Sequence, residues 1–107
     1  SLHDALPILK KMSPFGPDNQ KPVFCSLGVK DYGTSKLVGK ELEHLKLELI
    51  DGNSSTPMHA IAFGMHRHND HIKSMKPFNI CYTVEENTYN GNTSIQLMIK
   101  DIKPDDI

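Results

Sequence analysis

Four residues able to ligate a metal or carry a proton crowd one short stretch: His66, His68, Asp70 and His71. A Zn²⁺ or Ni²⁺ site needs neutral imidazoles or thiolates converging at about 2 Å from the ion. On a helix His68 and His71, three positions apart, share a face, but no cysteine or clear third ligand stands nearby. The expectation is a solvated helix surface and no metal site. Cys25 and Cys81 are the two thiols of the chain. Two are too few for a disulfide framework, and neither has ligand-like spacing. Both lie in alternating stretches and are expected as small core or near-core residues. In a reducing compartment, the default expectation, a disulfide between them is not expected to persist. No Ser/His/Asp or Cys/His nucleophile arrangement can be argued, and no carboxylate cluster able to hold two metals is present, so no catalytic residue is assigned.

The elements that must position these side chains come from hydrophobic period. At 107 residues, with 37% apolar and 23% charged, the chain makes one small globular domain. No apolar run approaches the roughly 20 residues of a membrane-spanning helix, and no basic segment followed by an apolar stretch marks a secretory signal. The setting expected is cytoplasmic, without membrane contact. The chain starts at Ser1 rather than Met, which suggests a piece of something longer. Residues 1–8 are unplaced, as a possible scar or fragment end. Residues 9–22, with PFGPDNQKP at their end, read as a turn-rich linker, tacked onto the core by Phe15. Residues 23–107 form the domain. The net charge of −1 argues against a free-standing nucleic-acid binder held by bulk charge. A mild basic slope runs through residues 21–46, where five Lys face three acids.

After the linker the period is two. Val23, Cys25, Leu27 and Val29 alternate with Phe24, Ser26, Gly28 and Lys30, a strand expected to bend at Gly28. Residues 34–38 continue it beyond a kink at Gly33. Residues 44–50, HLKLELI, set Leu45, Leu47 and Leu49 on one face. A turn over 51–57 leads to a third strand over 58–65. Residues 66–75 supply one short helix, and 78–89 a fourth strand with Ile80, Tyr82 and Val84 inward. Asn90-Gly91 suits a type I′ hairpin turn. A two-residue loop pairs Tyr89 with Asn92, which sets Val84 opposite Leu97 and Tyr82 opposite Ile99. The class is all-β. Five strands with one short helix between the third and fourth have the chain order of an OB-fold barrel, an SH3-like barrel or sandwich fragment being the alternative.

Several segments carry a family resemblance. Pro14-Phe15-Gly16-Pro17-Asp18-Asn19, then Lys21-Pro22-Val23-Phe24, resembles the linker junction of RecJ-type single-stranded-DNA exonucleases. Leu37-Val38-Gly39, Glu43-His44-Leu45-Lys46-Leu47, Ala60-Ile61-Ala62-Phe63-Gly64-Met65, and Ser94-Ile95-Gln96-Leu97 leading to Ile99-Lys100-Asp101-Ile102 follow in the family's order. The sequence departs from the family pattern at Asp18, where glycine is common, and at Met98, where a polar or charged residue is common.

The resemblance implies the carboxy-terminal OB domain of such an exonuclease. Nuclease chemistry with Mg²⁺ or Mn²⁺ would belong to separate upstream domains, and this chain would carry no cofactor and no catalytic residue. Asn69-Asp70-His71 echoes the family's Asp-His-His signature but lacks the second histidine. The implied partners are single-stranded DNA and the upstream nuclease domains. OB barrels hold single strands on the face of their second and third strands, between the loops joining strands one to two and four to five, using cations and flat rings. The positions expected there are Lys36, Lys40, His44 and Lys46 near the first loop and second strand, His59 on the third strand, and Asn87, Tyr89 and Asn92 around the hairpin tip. The rival expectation is a scaffolding barrel that docks the nuclease core or a partner protein.

Overall fold

The structure, a computed structural model, describes residues 21–52 and 54–105. The expected Phe15 anchor, the linker as far as residue 20, and residues 1–8 lie outside the described residues. In chain order the elements are β1 (Phe24–Asp31), β2 (Lys36–Val38), β3 (His44–Asp51), β4 (Ser54–Ala62), a 3₁₀ turn (His66–His68) running into helix α1 (Asn69–Lys73), β5 (Phe78–Tyr89) and β6 (Asn92–Pro104). The strands neighbour one another in the order β1-β5-β6-β4-β3-β2, and β1 also pairs with β3. That last pairing closes the sheet into a barrel, the OB architecture expected from strand order.

Strand β2 is the continuation of β1 after an interruption. Both run antiparallel to β3, through Asp31↔Leu49 and Lys36↔Lys46, and the register slips by two residues across the kink. Leu45, Leu47 and Leu49 are fully buried. Burying each contributes about 1.5–3 kcal/mol, against helix preferences of a few tenths of a kcal/mol for Leu and Glu. Burial decides for strand. The β3–β4 turn is tighter than expected: β4 already starts at Ser54 and ends at Ala62, where the sequence suggested a turn through Pro57 and a strand to Met65.

The hairpin β5–β6 has the expected register, with Tyr89↔Asn92, Val84↔Leu97 and Tyr82↔Ile99. Asn90 and Gly91 take φ of 51° and 79°, the positive values a type I′ turn requires. Phe78, Ile80, Tyr82 and Val84 line the core. The short helix contributes Ile72, which is fully buried. Its chain reversal comes at Met75, whose φ is 66°.

The inward side of β1 differs from expectation. Leu27 is 77% and Val23 59% exposed, while Ser26 and Val29 face inward. The β1–β5 register shifts between Ser26 and Val29, with Gly28 at φ 69° donating its N–H to Asn79 Oδ1 at 2.9 Å. This bulge places two residues between consecutive inward positions, so alternation counted from Val29 backwards lands on the wrong side. Cys25 is consequently exposed, and Cys81, between the inward Ile80 and Tyr82, is half-buried on the outer face, a correction to the core or near-core place expected for both. Ser26 is tolerated inside because its Oγ bonds the Tyr82 hydroxyl at 2.9 Å.

Candidate nucleic-acid interface

The outward face of β2, β3 and β4 is set by parity. With Leu45, Leu47, Met58, Ala60 and Ala62 in the core, His44, Lys46, Glu48, His59, Ile61 and Phe63 must point away from it. Lys36 stands directly opposite Lys46, and Lys46 opposite Ile61. Ile61 lies beside Met98 of β6, so Met98 extends a half-buried apolar strip next to the two lysines.

One pair further along, His44 and Phe63 meet edge to face with ring centroids 5.0 Å apart. The Gly64 N–H donates to His44 Nδ1 at 2.8 Å, which leaves the proton on Nε2, 3.0 Å from Glu43 Oε1. Glu43 also organises the adjoining loop, accepting the Glu41 N–H on Oε2 at 2.8 Å. Gly39, at φ 102°, packs against this carboxylate so closely that a Cβ there would strike Glu43 Oε1. Lys40, exposed, rides on this loop.

The expected site residues fall into two groups. Lys36, Lys40, His44 and Lys46 gather at one end of the barrel face. Asn87, Tyr89 and Asn92 stand at the hairpin tip, where Tyr89 is 79% exposed and Asn87 Nδ2 donates to Gln96 Oε1 at 3.3 Å. Extending the parallel β4–β6 register puts Asn92 level with Ser55, eight residues before Phe63. At a strand rise of about 3.3 Å per residue, the tip and the Phe63 end are about 26 Å apart along the strands. A row containing acids lies between them. Glu48 faces His59, whose Nδ1 is 3.8 Å from the carboxylate, and Glu85, opposite Gln96, is paired with Lys21. Phe63 and Glu43 were not among the expected site residues. Phe63 was findable, because Met58, Ala60 and Ala62 on one parity force it outward.

The histidine-rich stretch disperses. His66 Nδ1 donates to the Glu43 carbonyl at 3.2 Å, and His71 Nε2 to the Pro77 carbonyl at 3.0 Å. His68 Nε2 is buried without a hydrogen-bond partner; burial first, then the Arg67 charge, hold its pKa below the ordinary value despite the opposing pull of Asp101. Among the described residues no group of three or more His, Cys, Asp or Glu could hold a metal ion, and no helix is long and apolar enough to cross a membrane.

Comparison with known proteins agrees with this architecture. The solved crystal structure of RecJ in complex with Mg²⁺ from Thermus thermophilus is similar in fold, with a TM-score of 0.57 at 16% identity, over 99% of this chain and 15% of that one. The chain thus spans about a seventh of that protein's length. No curated protein matches it. The family of the RecJ OB domain matches residues 3–101, nearly the whole length. With barrel, helix position and family agreeing, the chain belongs to the RecJ OB domain family.

Proposed function

We propose that this barrel is a single-stranded-DNA-binding module of a RecJ-like 5′-to-3′ exonuclease, non-catalytic by itself. The nuclease chemistry and its Mg²⁺ or Mn²⁺ belong to upstream domains of the longer protein. The Lys36–Lys46 cross-strand pair carries the proposal. Like charges directly opposite one another cost a sheet stability, and a phosphate lying between them removes that cost. Ile61, Met98 and the His44–Phe63 pair supply adjacent apolar and aromatic surface on which bases stack. Lys40 extends the cationic path along the loop, and His59 borders it beside Glu48. Tyr89, Asn87 and Asn92 form a separate contact point that only a longer strand reaches. The local balance of Lys36, Lys40 and Lys46 against Glu41 and Glu43 is +1, so affinity is modest and much of the longer protein's grip lies outside this barrel.

Fluorescence anisotropy with labelled oligonucleotides tests the proposal. OB sites cover about 4–16 nucleotides, so strands of about four and about sixteen are compared. Both bind, more weakly as salt rises. Lys46→Ala lowers the salt slope by about 0.7, the share of one phosphate contact on a single strand. Phe63→Ala costs about 1–3 kcal/mol on both lengths, and Tyr89→Ala affects only the longer. A folded chain that binds neither at low salt overturns the proposal. The exposed Val23, just before β1, and Leu27 on it would then favour a second reading, a barrel that docks the nuclease core or a partner protein.

A further inference from the structure

Cys25 and Cys81 occupy directly opposed positions on the antiparallel neighbours β1 and β5. Their sulfurs are 2.7 Å apart, in direct contact. Opposed residues on paired strands hold their Cβ atoms about 4.5–5.5 Å apart, close to the roughly 3.5–4.5 Å that a disulfide needs. Only a small adjustment separates dithiol from disulfide. The pair lies on the outside of the barrel, in an open groove of about 260 Å³ also lined by Leu27, Asp101 and Lys103, so a small reagent reaches it without unfolding. We propose that Cys25 and Cys81 form a solvent-accessible dithiol site that low-molecular-weight disulfides such as oxidised glutathione convert to a cross-strand disulfide tying β1 to β5.

The two thiols have different parts in the exchange. The hydrogen bond with Cys25, then burial, raise the Cys81 pKa above its ordinary value, and Cys25 is the more exposed sulfur. Cys25 thiolate attacks one sulfur of the small disulfide, forming a mixed disulfide and expelling one thiolate. Cys81 then gives its proton to solvent and attacks Cys25 Sγ, expelling the second thiolate. The protein loses two electrons and two protons, and the small disulfide is reduced to two thiols. The new bond lies one residue into β1, so it clamps the start of that strand to β5.

The test uses the reduced 107-residue chain in graded mixtures of oxidised and reduced glutathione, with free thiols alkylated before intact-mass and peptide analysis. The wild type converts to an intramolecular Cys25–Cys81 disulfide, lighter by two hydrogens, with little glutathione adduct. Cys81→Ser stops at a glutathione adduct on Cys25. Cys25→Ser stops at a glutathione adduct on Cys81, formed more slowly than the Cys25 adduct because that sulfur is the less exposed of the two. The equilibrium for closure falls at least about tenfold in denaturing urea, where the strands no longer hold the thiols together. A stable adduct on Cys25 of the wild type, disulfides between chains rather than within one, or closure equally favourable in urea each overturns the proposal.

Discussion

Asp31 is a buried carboxylate in the wall of the barrel, at the interruption between β1 and β2. Its Oδ1 accepts the Ser35 N–H at 3.1 Å, and its Oδ2 lies 3.7 Å from Lys73 Nζ. Ser35 Oγ in turn accepts the Glu48 N–H at 3.0 Å, and Lys73 donates to the Ser35 carbonyl. Side chains from β1, the kink itself and α1 thereby satisfy backbone groups of the kink and of β3. Burial by itself would raise the Asp31 pKa. The hydrogen bonds from Ser35 and Gly33 and the Lys73 charge outweigh burial and hold it below the usual carboxylate value. A folded-state pKa below the unfolded one means stabilisation that is complete above the unfolded value of about 3.9 and lost as pH falls through the folded value. Asp31→Ala is therefore expected to cost about 1–3 kcal/mol at pH 7, since it leaves buried donors unpaired. It also lacks the wild type's loss of stability below about pH 4. Urea midpoints from pH 7 to pH 3 check both. Equal midpoints at pH 7, or parallel decline in acid, would show that the carboxylate does not hold the kink.

At the scale of the elements, the hairpin β5–β6 separates packing from contact. Tyr82 is buried at its root, with its ring 6.0 Å from Phe24 and its hydroxyl on Ser26. Tyr89 is exposed seven residues later at the tip. Tyr82→Ala removes a core ring and a hydroxyl partner together and is expected to cost about 3–5 kcal/mol, a large share of the roughly 5–15 kcal/mol that holds such a domain folded. Tyr89→Ala is expected to stay within about 0.5 kcal/mol of wild type. Thermal unfolding of the two variants decides. If Tyr89→Ala is as damaging as Tyr82→Ala, the tip ring is a packing residue and unavailable to a ligand. The β5–β6 register shifts between Cys81 and Tyr82, so a bulge also flanks β5 on its β6 side. Ile99 and Ile102 then both face inward, as Ser26 and Val29 do on the other flank. Paired bulges of this kind bend the sheet where the barrel must close.

At the scale of the whole molecule, the question is what this barrel's own side chains can do chemically. Two-metal hydrolysis needs carboxylates or imidazoles set to hold ions about 3.5–4 Å apart. With His66 and His71 bonded to separate carbonyls and His68 buried apart from both, no such set is assembled among the described residues. Homogeneous chain is therefore expected to leave a labelled single strand intact in Mg²⁺ or Mn²⁺. Degradation abolished by EDTA would overturn that expectation.

How much of this was legible beforehand depended on the range of the interaction involved. Hydrophobic alternation is a local property, so His44–Asp51 and Phe78–Tyr89 could be read as strands. Asn90-Gly91 set the register of Val84 against Leu97, because a two-residue turn leaves the pairing no freedom. The outward parity of Lys46 and His59 follows from the same counting. What the sequence could not supply was anything that depends on a bulge or on which strands become neighbours. The Gly28 bulge shifts β1's inward side by a residue and moves Cys25 from expected core to surface. The meeting of Cys25 with Cys81, of Phe63 with His44, and of Asp31 with Lys73 requires barrel closure. So does the separation of the lysines from the hairpin tip. Sequence by itself determined the elements and their parity, through side-chain period and turn geometry. Tertiary structure alone decided which side chains meet and how far apart the two contact points lie, because those distances are set by pairings between strands remote in the chain.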